Sequence, residues 1–212
     1  MIRRRLRERV LLSDYQQVVE LVDPGASVLD LGCGEGTLLR RLIDEKHVHG
    51  NGVEIDPEAV IACIHKGLSV FHGDVDEGLA DYGNASYDFV ILNQTLQVIL
   101  RPDFVLEEML RVGRRAIVSF PNFGHWRVRW QLLLAGRMPR TPKLPFHWYN
   151  TPNIHLLTIR DFVEYCRRQN IHILKAVHLH QARRGQKPKR IGFGSNWRAD
   201  EGLFVISRRV KP

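Results

Sequence analysis

Residues 28–37 read VLDLGCGEGT, an apolar run carrying an acid and followed by glycine at 32, 34 and 36. The run over 27–31 has the length of a buried strand, and 37–44 spaces its apolar residues along one face of a helix. Glycine between a strand and a helix permits positive φ and lets backbone amides approach a ligand with no Cβ in the way. A dinucleotide fingerprint would place its third glycine one position later, where this chain has Thr37. The loop is the tighter G-x-G-x-G form, and its glycines serve either a ligand or the packing of the loop itself.

Outward from this loop, strand and helix alternate. Ahead of it, Ser13 and Gln16 make a capping box for a helix whose face is Leu11, Tyr15, Val18, Val19 and Val22, stopped at Asp23-Pro24-Gly25. Behind it come a strand over 52–55 and a helix opened by Asp56-Pro57 that reaches about His65. Strands at 69–72 and 89–92, a helix over 104–112 and a strand over 116–120 follow. Thr158 with Asp161 caps another helix to about Gln169, and 172–178 and 203–207 read as strands joined by a basic loop at 183–190. The pattern predicts an α/β fold: a seven-stranded, mostly parallel sheet with helices on both faces. The last two strands, with no helix between them, are expected to form a C-terminal antiparallel hairpin at one edge. With no repeat or linker, the chain reads as one domain over 1–212, with a basic N-terminal extension at 1–12.

The second and third strands lead into acids. NGVEID (51–56) puts Glu54 at the end of the second strand, twenty residues after Gly34, where a carboxylate can accept from both hydroxyls of a ribose. HGDVDEGL (72–79) puts Asp74 just after the third. A glycine triplet with two acids, each at its own strand end, resembles the class I S-adenosylmethionine-dependent methyltransferases. The resemblance implies a Rossmann-like fold whose cofactor is S-adenosylmethionine, or S-adenosylhomocysteine as product. It places Asp30 near the ammonium end of that cofactor, Glu54 on the ribose, Asp74 on the adenine amino group and Val75 against the ring. Gly32, Cys33, Gly34, Gly36, Ile55 and Asn93 complete the expected pocket. An acid near the ammonium also has a Coulombic reason, since ammonium and sulfonium are both cationic.

Four segments of the second half narrow the family. ILNQTLQVI (91–99), VSFPNFGHWRVR (118–129), GRMP (136–139) and WYNTPNIHLLTIRDF (148–162) resemble the MetW family of bacterial methionine biosynthesis. This resemblance covers roughly residues 20–180. It implies a protein acting with homoserine O-acetyltransferase as partner or regulator, and it assigns no methyl acceptor.

After the fourth strand the chain reads Leu92-Asn93-Gln94-Thr95, without the Asp/Asn-Pro-Pro-aromatic set of amino-methylating nucleic-acid enzymes. A Pro-Cys pair for attack on a pyrimidine is missing there too, and no Lys-Asp-Lys-Glu set assembles at the strand ends. NFGHW (122–126) follows the fifth strand, at the carboxyl edge where ligands bind in such sheets. His125 is either a general base or an imidazole that orders its loop; with no partner evident in sequence, the second is preferred. Arg127 and Arg129 suit a carboxylate or an acidic partner surface, and equally an exposed helix face.

Residues 136–157, GRMPRTPKLPFHWYNTPNIHLL, form a connection of a length that is usually functional or disordered. Phe146, Trp148 and Tyr149 argue against disorder, because such side chains bury well. The segment therefore reads as a lid over the cofactor or a docking surface, with His147, Asn153 and His155 as further recognition candidates. Its histidines fit no standard ligand spacing, and no metal is expected.

The net charge of +8 raises nucleic acid as a partner. Yet five arginines lie within residues 3–9, and Arg183, Arg184, Lys187, Lys189 and Arg190 form a second cluster; such runs are mostly solvated. No apolar run approaches eighteen residues and no secretory signal opens the chain, so a cytoplasmic protein with no membrane association is expected. Cys33, Cys63 and Cys166 are expected to be buried free thiols. Three functions stay open: a cofactor-binding partner of the acetyltransferase, a small-molecule methyltransferase and, weakest, a nucleic-acid methyltransferase.

Overall fold

Strand residues of alternating parity divide between two apolar layers. Leu29, Leu31, Val90, Leu92 and Phe120 pack on one face of the sheet, and Val28, Phe89, Ile91 and Ile117 on the other. Strands covered on both sides must be apolar at nearly every position, which is why their sequences read as continuous runs. A computed structural model describes residues 15–141, 143–179, 189–192 and 194–208. The expected capping box at Ser13, the extension at 1–12 and most of the basic loop lie outside the described residues.

Helix α1 (15–21) leads into β1 (Ser27–Leu31), α2 (Thr37–Lys46), β2 (His49–Glu54), α3 (Pro57–His65) and β3 (Ser69–His72). Then come β4 (Tyr87–Asn93), α4 (Pro102–Val112), β5 (Gly113–Pro121), α5 (Trp126–Ala135) and α6 (Ile159–Arg168). The chain continues with β6 (Ile171–Leu179), the two-residue β7 (Lys189–Arg190), the short α7 (Ser195–Arg198) and β8 (Glu201–Arg208). Sheet order is β3-β2-β1-β4-β5-β8-β6-β7. Neighbours among β1 to β5 are parallel, and β8 runs antiparallel to both β5 and β6.

This is the expected Rossmann-like α/β fold, with β7 as a minor eighth strand on the outer side of β6. The C-terminal hairpin forms at one edge as expected, with β6 outward and β8 inward against β5. The β8 residues Glu201 to Ile206 are all buried, and a buried strand needs hydrogen-bond partners on both sides. α7 also interrupts the connection that was expected to hold no helix.

α1 and α2 cover one face through Val18, Val22, Leu38 and Leu42, while α4 and α6 cover the other through Leu106, Met109, Phe162 and Cys166. Local chemistry starts two helices where the sequence signalled it. Asp56 accepts from the Glu58 amide at 3.0 Å ahead of Pro57, and Thr158 and Asp161 form a reciprocal capping box. β1 has β2 on one side and β4 on the other, so the connections leave it in opposite directions. A crevice opens at the carboxyl ends of these strands, and there the candidate residues gather.

Candidate functional site

The loop from Gly32 to Gly36 turns from β1 into α2 with its backbone pinned to β2: the Gly32 and Cys33 amides donate to the Val53 carbonyl at 2.8 and 3.2 Å. Two of its glycines exist for different reasons. Gly36 has φ 73°, and a Cβ there would sit inside the Leu68 methyl and 2.9 Å from Cys63 Sγ. Gly34 has φ 54°, and among the described residues a Cβ there would meet nothing within 4 Å beyond its own chain neighbours. Gly36 is thus needed for packing, while Gly34 borders open space.

Glu54 reaches from the end of β2 to the same loop. One carboxylate oxygen accepts from the Gly34 amide at 2.7 Å; the other accepts from the Ile55 and Asp56 amides at 2.9 and 3.0 Å. A carboxylate offers about four acceptor sites, so these three bonds fix Glu54 in place and leave one site for a ligand hydroxyl. Asp30, at 2 % exposure on β1, makes no side-chain hydrogen bond among the described residues. Burial, and then the nearby Glu54 charge, push its carboxyl up to about 7. A buried acid left unsatisfied by its own chain, beside a second carboxylate, is a site that favours a cation.

Asp74 caps a short turn at Val75–Glu77 by accepting from the Asp76 amide at 2.8 Å, which leaves its other oxygen without a hydrogen bond among the described residues. Val75 is buried beside it and Ile55 is exposed. The Cys33 thiol lies against β2, where a Cβ on Gly52 would come within 2.6 Å of it. Burial pushes that thiol upward, away from thiolate chemistry. Cys63 and Cys166 are buried free thiols as expected, while Cys33 is half-buried.

Past β4, Asn93 accepts from the Ser119 hydroxyl at 2.6 Å. The next residue, Gln94, has φ 58°, and its amide donates to Ser119 Oγ at 3.0 Å. The Gln97 carbonyl receives the Ile154 and His155 amides at 2.8 and 3.0 Å. Sequence reasoning missed Ser119, Gln94 and Gln97, as it missed Asn122. The Asn122 amide nitrogen donates to the Asn196 and Ala199 carbonyls, and its oxygen accepts from the Gly124 and Ile159 amides. It ties the end of β5 to α6 and α7.

His125 lies outside this cluster. Its Nδ1 accepts from the Arg127 amide at 3.3 Å as the N-cap of α5, and its Nε2 lies 3.6 Å from Asp200. The Nδ1 bond helps to order the loop, and Nε2 lies toward the acid just before β8. Arg127 is exposed beside Trp126, and Arg129 donates to the Gly124 carbonyl at 2.7 Å.

The connection at 136–157 forms no helix or strand among its described residues. It is fastened by the Gln97 bonds, by Arg140 to the Gln131 side chain, and by a buried Lys143–Glu201 ion pair at 2.5 Å. The expectation that its aromatics bury is overturned: Trp148 is 74 % and Tyr149 67 % exposed, and Phe146 also faces solvent. The backbone and Lys143 anchor the segment, so the rings pack on one another, with His147 stacked 5.1 Å from Tyr149. His155 is half-buried beside the Gln97 turn.

The profile of the family described as "Methionine biosynthesis protein MetW" matches residues 12–206. The bifunctional methionine biosynthesis protein MetXA/MetW of Rhodopirellula baltica is 38 % identical over 173 residues, covering 77 % of this chain and 28 % of that protein. The chain thus spans under a third of the curated relative's length. Among solved structures, a methyltransferase of Thermotoga maritima superposes with a TM-score of 0.68 at 16 % identity, over 96 % of this chain and 91 % of that one. A methyltransferase of Archaeoglobus fulgidus also reaches 0.68, at 12 % identity over 97 % and 94 % of the two chains. At such identities the structural likeness speaks for fold alone.

Proposed function

This chain belongs to the MetW family of methionine biosynthesis proteins, and we propose that it binds S-adenosylmethionine and acts through homoserine O-acetyltransferase as partner or regulator. The observation that carries the binding is Asp30: a buried carboxylate with no hydrogen bond of its own among the described residues, close to Glu54 and to the open space over Gly34. These groups fit the cofactor. Asp30 would hold the ammonium, Glu54 a ribose hydroxyl and Asp74, through its remaining oxygen, the adenine amine. Val75 would pack on the ring, with the backbone of Gly32 to Gly36, Ile55 and Asn93 completing the wall. When bound, the cofactor supplies an activated methyl group and a cationic sulfonium.

Support for a regulatory role comes from two sides. The curated relative carries MetXA and MetW in one chain, which we read as the acetyltransferase joined to a protein like this one. His125, the residue best placed by sequence to serve as a base, has its Nδ1 committed to the Arg127 amide as the N-cap of α5. The protein is then one methyltransferase-like, cofactor-binding domain working in the cytoplasm, where thiols such as Cys63 stay reduced. An effector of this kind requires the complex to distinguish bound from empty states.

The test has two stages. Calorimetric titration of the full chain with S-adenosylmethionine and S-adenosylhomocysteine should give binding, and no binding of either would overturn the site. Acetyltransferase activity should then change when the protein is added, and change again with either nucleoside. Binding without any effect on the acetyltransferase would leave methyl transfer to a small molecule as the function, since in-line displacement can proceed by positioning alone.

A further inference from the structure

Helix α5 wears its large apolar residues on the outside. Trp126, Trp130, Leu133 and Leu134 fall at helical spacings of four, seven and eight, and all four are exposed, Leu133 and Leu134 at 76 and 75 %. Of its ten residues only Val128 is buried. A helix of this length is ordinarily held by burying apolar side chains against its own domain; here the described chain leaves Trp126, Trp130, Leu132, Leu133 and Leu134 uncovered. Beyond α5, Met138 leads into a shallow open pocket lined by Phe123, Leu144, Phe146, Trp148 and Leu156. Its largely apolar lining suits an apolar group from outside.

The charge around this surface is one-sided. Residues 109–160 contain no acid, while Arg127, Arg129, Arg137 and Arg140 are all exposed on α5 or within five residues of its end. Exposed tryptophan, tyrosine and arginine around an apolar centre is the composition of protein interfaces and of their energetic anchors. The complementary surface is therefore apolar at its centre and rimmed by carboxylates.

We propose that α5 and the connection at 136–157 form the docking surface for the acetyltransferase subunit. The proposal rests on the reading above that this enzyme is the partner. The fused relative supports that occupant, because a chain carrying both modules holds them at high effective concentration. The same surface reaches the candidate cofactor site through the Ile154 and His155 amides on the Gln97 carbonyl, three residues beyond Gln94. Docking and nucleoside binding would thus act on one strap.

The experiment is co-elution of the full chain with its purified cognate acetyltransferase, comparing wild type with Trp130→Glu/Leu133→Glu and with Arg137→Glu/Arg140→Glu. Both pairs should weaken association at least tenfold while nucleoside affinity and thermal midpoint stay at wild-type values. Two results separate the ways to fail. A wild-type protein that does not associate overturns the partner and this surface together. A wild-type complex that both double variants still form with unchanged affinity overturns the surface alone. Sedimentation of the wild type without partner, and with vesicles of anionic lipid, covers the other occupants. Self-association or vesicle binding abolished by Leu133→Glu, with the acetyltransferase complex intact, would overturn the proposal as well.

Discussion

The glycine loop after β1 and the α5 region after β5 use glycine, acid and aromatic residues in opposite ways. Around β1 and β2 nearly every feature of the sequence is answered inside the chain: Glu54 takes three amides, Gly36 makes room for Leu68 and Cys63, and Leu39 and Leu42 are fully buried. Around α5 and the connection the sequence is just as rich in apolar residues, yet Trp130, Leu133 and Trp148 stay in solvent. The first region is complete except for a buried acid and an open cradle, the dimensions of a small ligand. The second lacks a whole covering layer, which is the dimension of a protein. A site for a molecule is marked by one or two unsatisfied groups in a finished structure, and a site for a partner by a face with no interior side.

The largest effect should come from the glycine that packing requires. Gly36→Ala combines overpacking, about 1–3 kcal/mol, with a left-handed backbone that costs roughly 1–2 kcal/mol more, since its Cβ would overlap Leu68. Urea denaturation should show a loss of about 2–5 kcal/mol by the same reasoning. Gly34→Ala should lose only the backbone part and yet abolish nucleoside binding. Equal stability losses in the two variants would break the distinction between them.

Next in size is Glu54→Gln. Both oxygens of Glu54 face backbone donors, so either orientation of the amide sets an N–H against an N–H. The change is not conservative there. Affinity for S-adenosylhomocysteine should fall by about 1.5–3 kcal/mol, the usual worth of a hydrogen bond to a charged group. An unchanged calorimetric affinity would remove Glu54 from the site.

How much of this was legible follows from which contacts are local. The glycine triplet, Glu54 and the Thr158–Asp161 cap are patterns within a few residues of a strand or helix end, and each stands where the sequence put it. Ser119, which steadies Asn93 and Gln94 from 25 or 26 residues away, leaves no such local mark. α5 left only a weak mark because its N-cap is a histidine and its apolar residues are spread round the helix instead of along one face. The burial expected of Trp148 failed for another reason: apolar content says that a side chain seeks cover, never whether its own chain supplies it.

Asp30 gives a smaller, pH-dependent effect with opposite signs for binding and stability. Its carboxyl is raised to about 7 by burial and by Glu54, so the folded protein holds a proton there that the unfolded chain loses nearer pH 4. The stability this contributes is present at low pH and is lost as pH rises through about 7. A cationic ligand needs the ionised form, so its affinity should rise with pH and weaken by up to about tenfold per unit below 7. Asp30→Asn should flatten both curves, lowering nucleoside affinity while raising the denaturation midpoint at pH 8. A pH-independent affinity between 6 and 8 would place the ammonium elsewhere.

The smallest effect is the most telling for the comparison. Leu133→Ser and Leu134→Ser remove large apolar side chains, yet three quarters of each is already in water. Surface changes away from caps, charges and strained backbone stay within roughly 0.5 kcal/mol. Leu39→Ala, with its side chain fully buried beside the glycine loop, should cost about 2–5 kcal/mol. If the serine variants prove as destabilising as Leu39→Ala, α5 is covered in the isolated protein, by a second copy or by the segments outside the described residues. The face would then be part of the core, and the contrast between the two regions would disappear. If they are silent in isolation and destabilising only when the acetyltransferase is present, the missing layer is supplied by the partner.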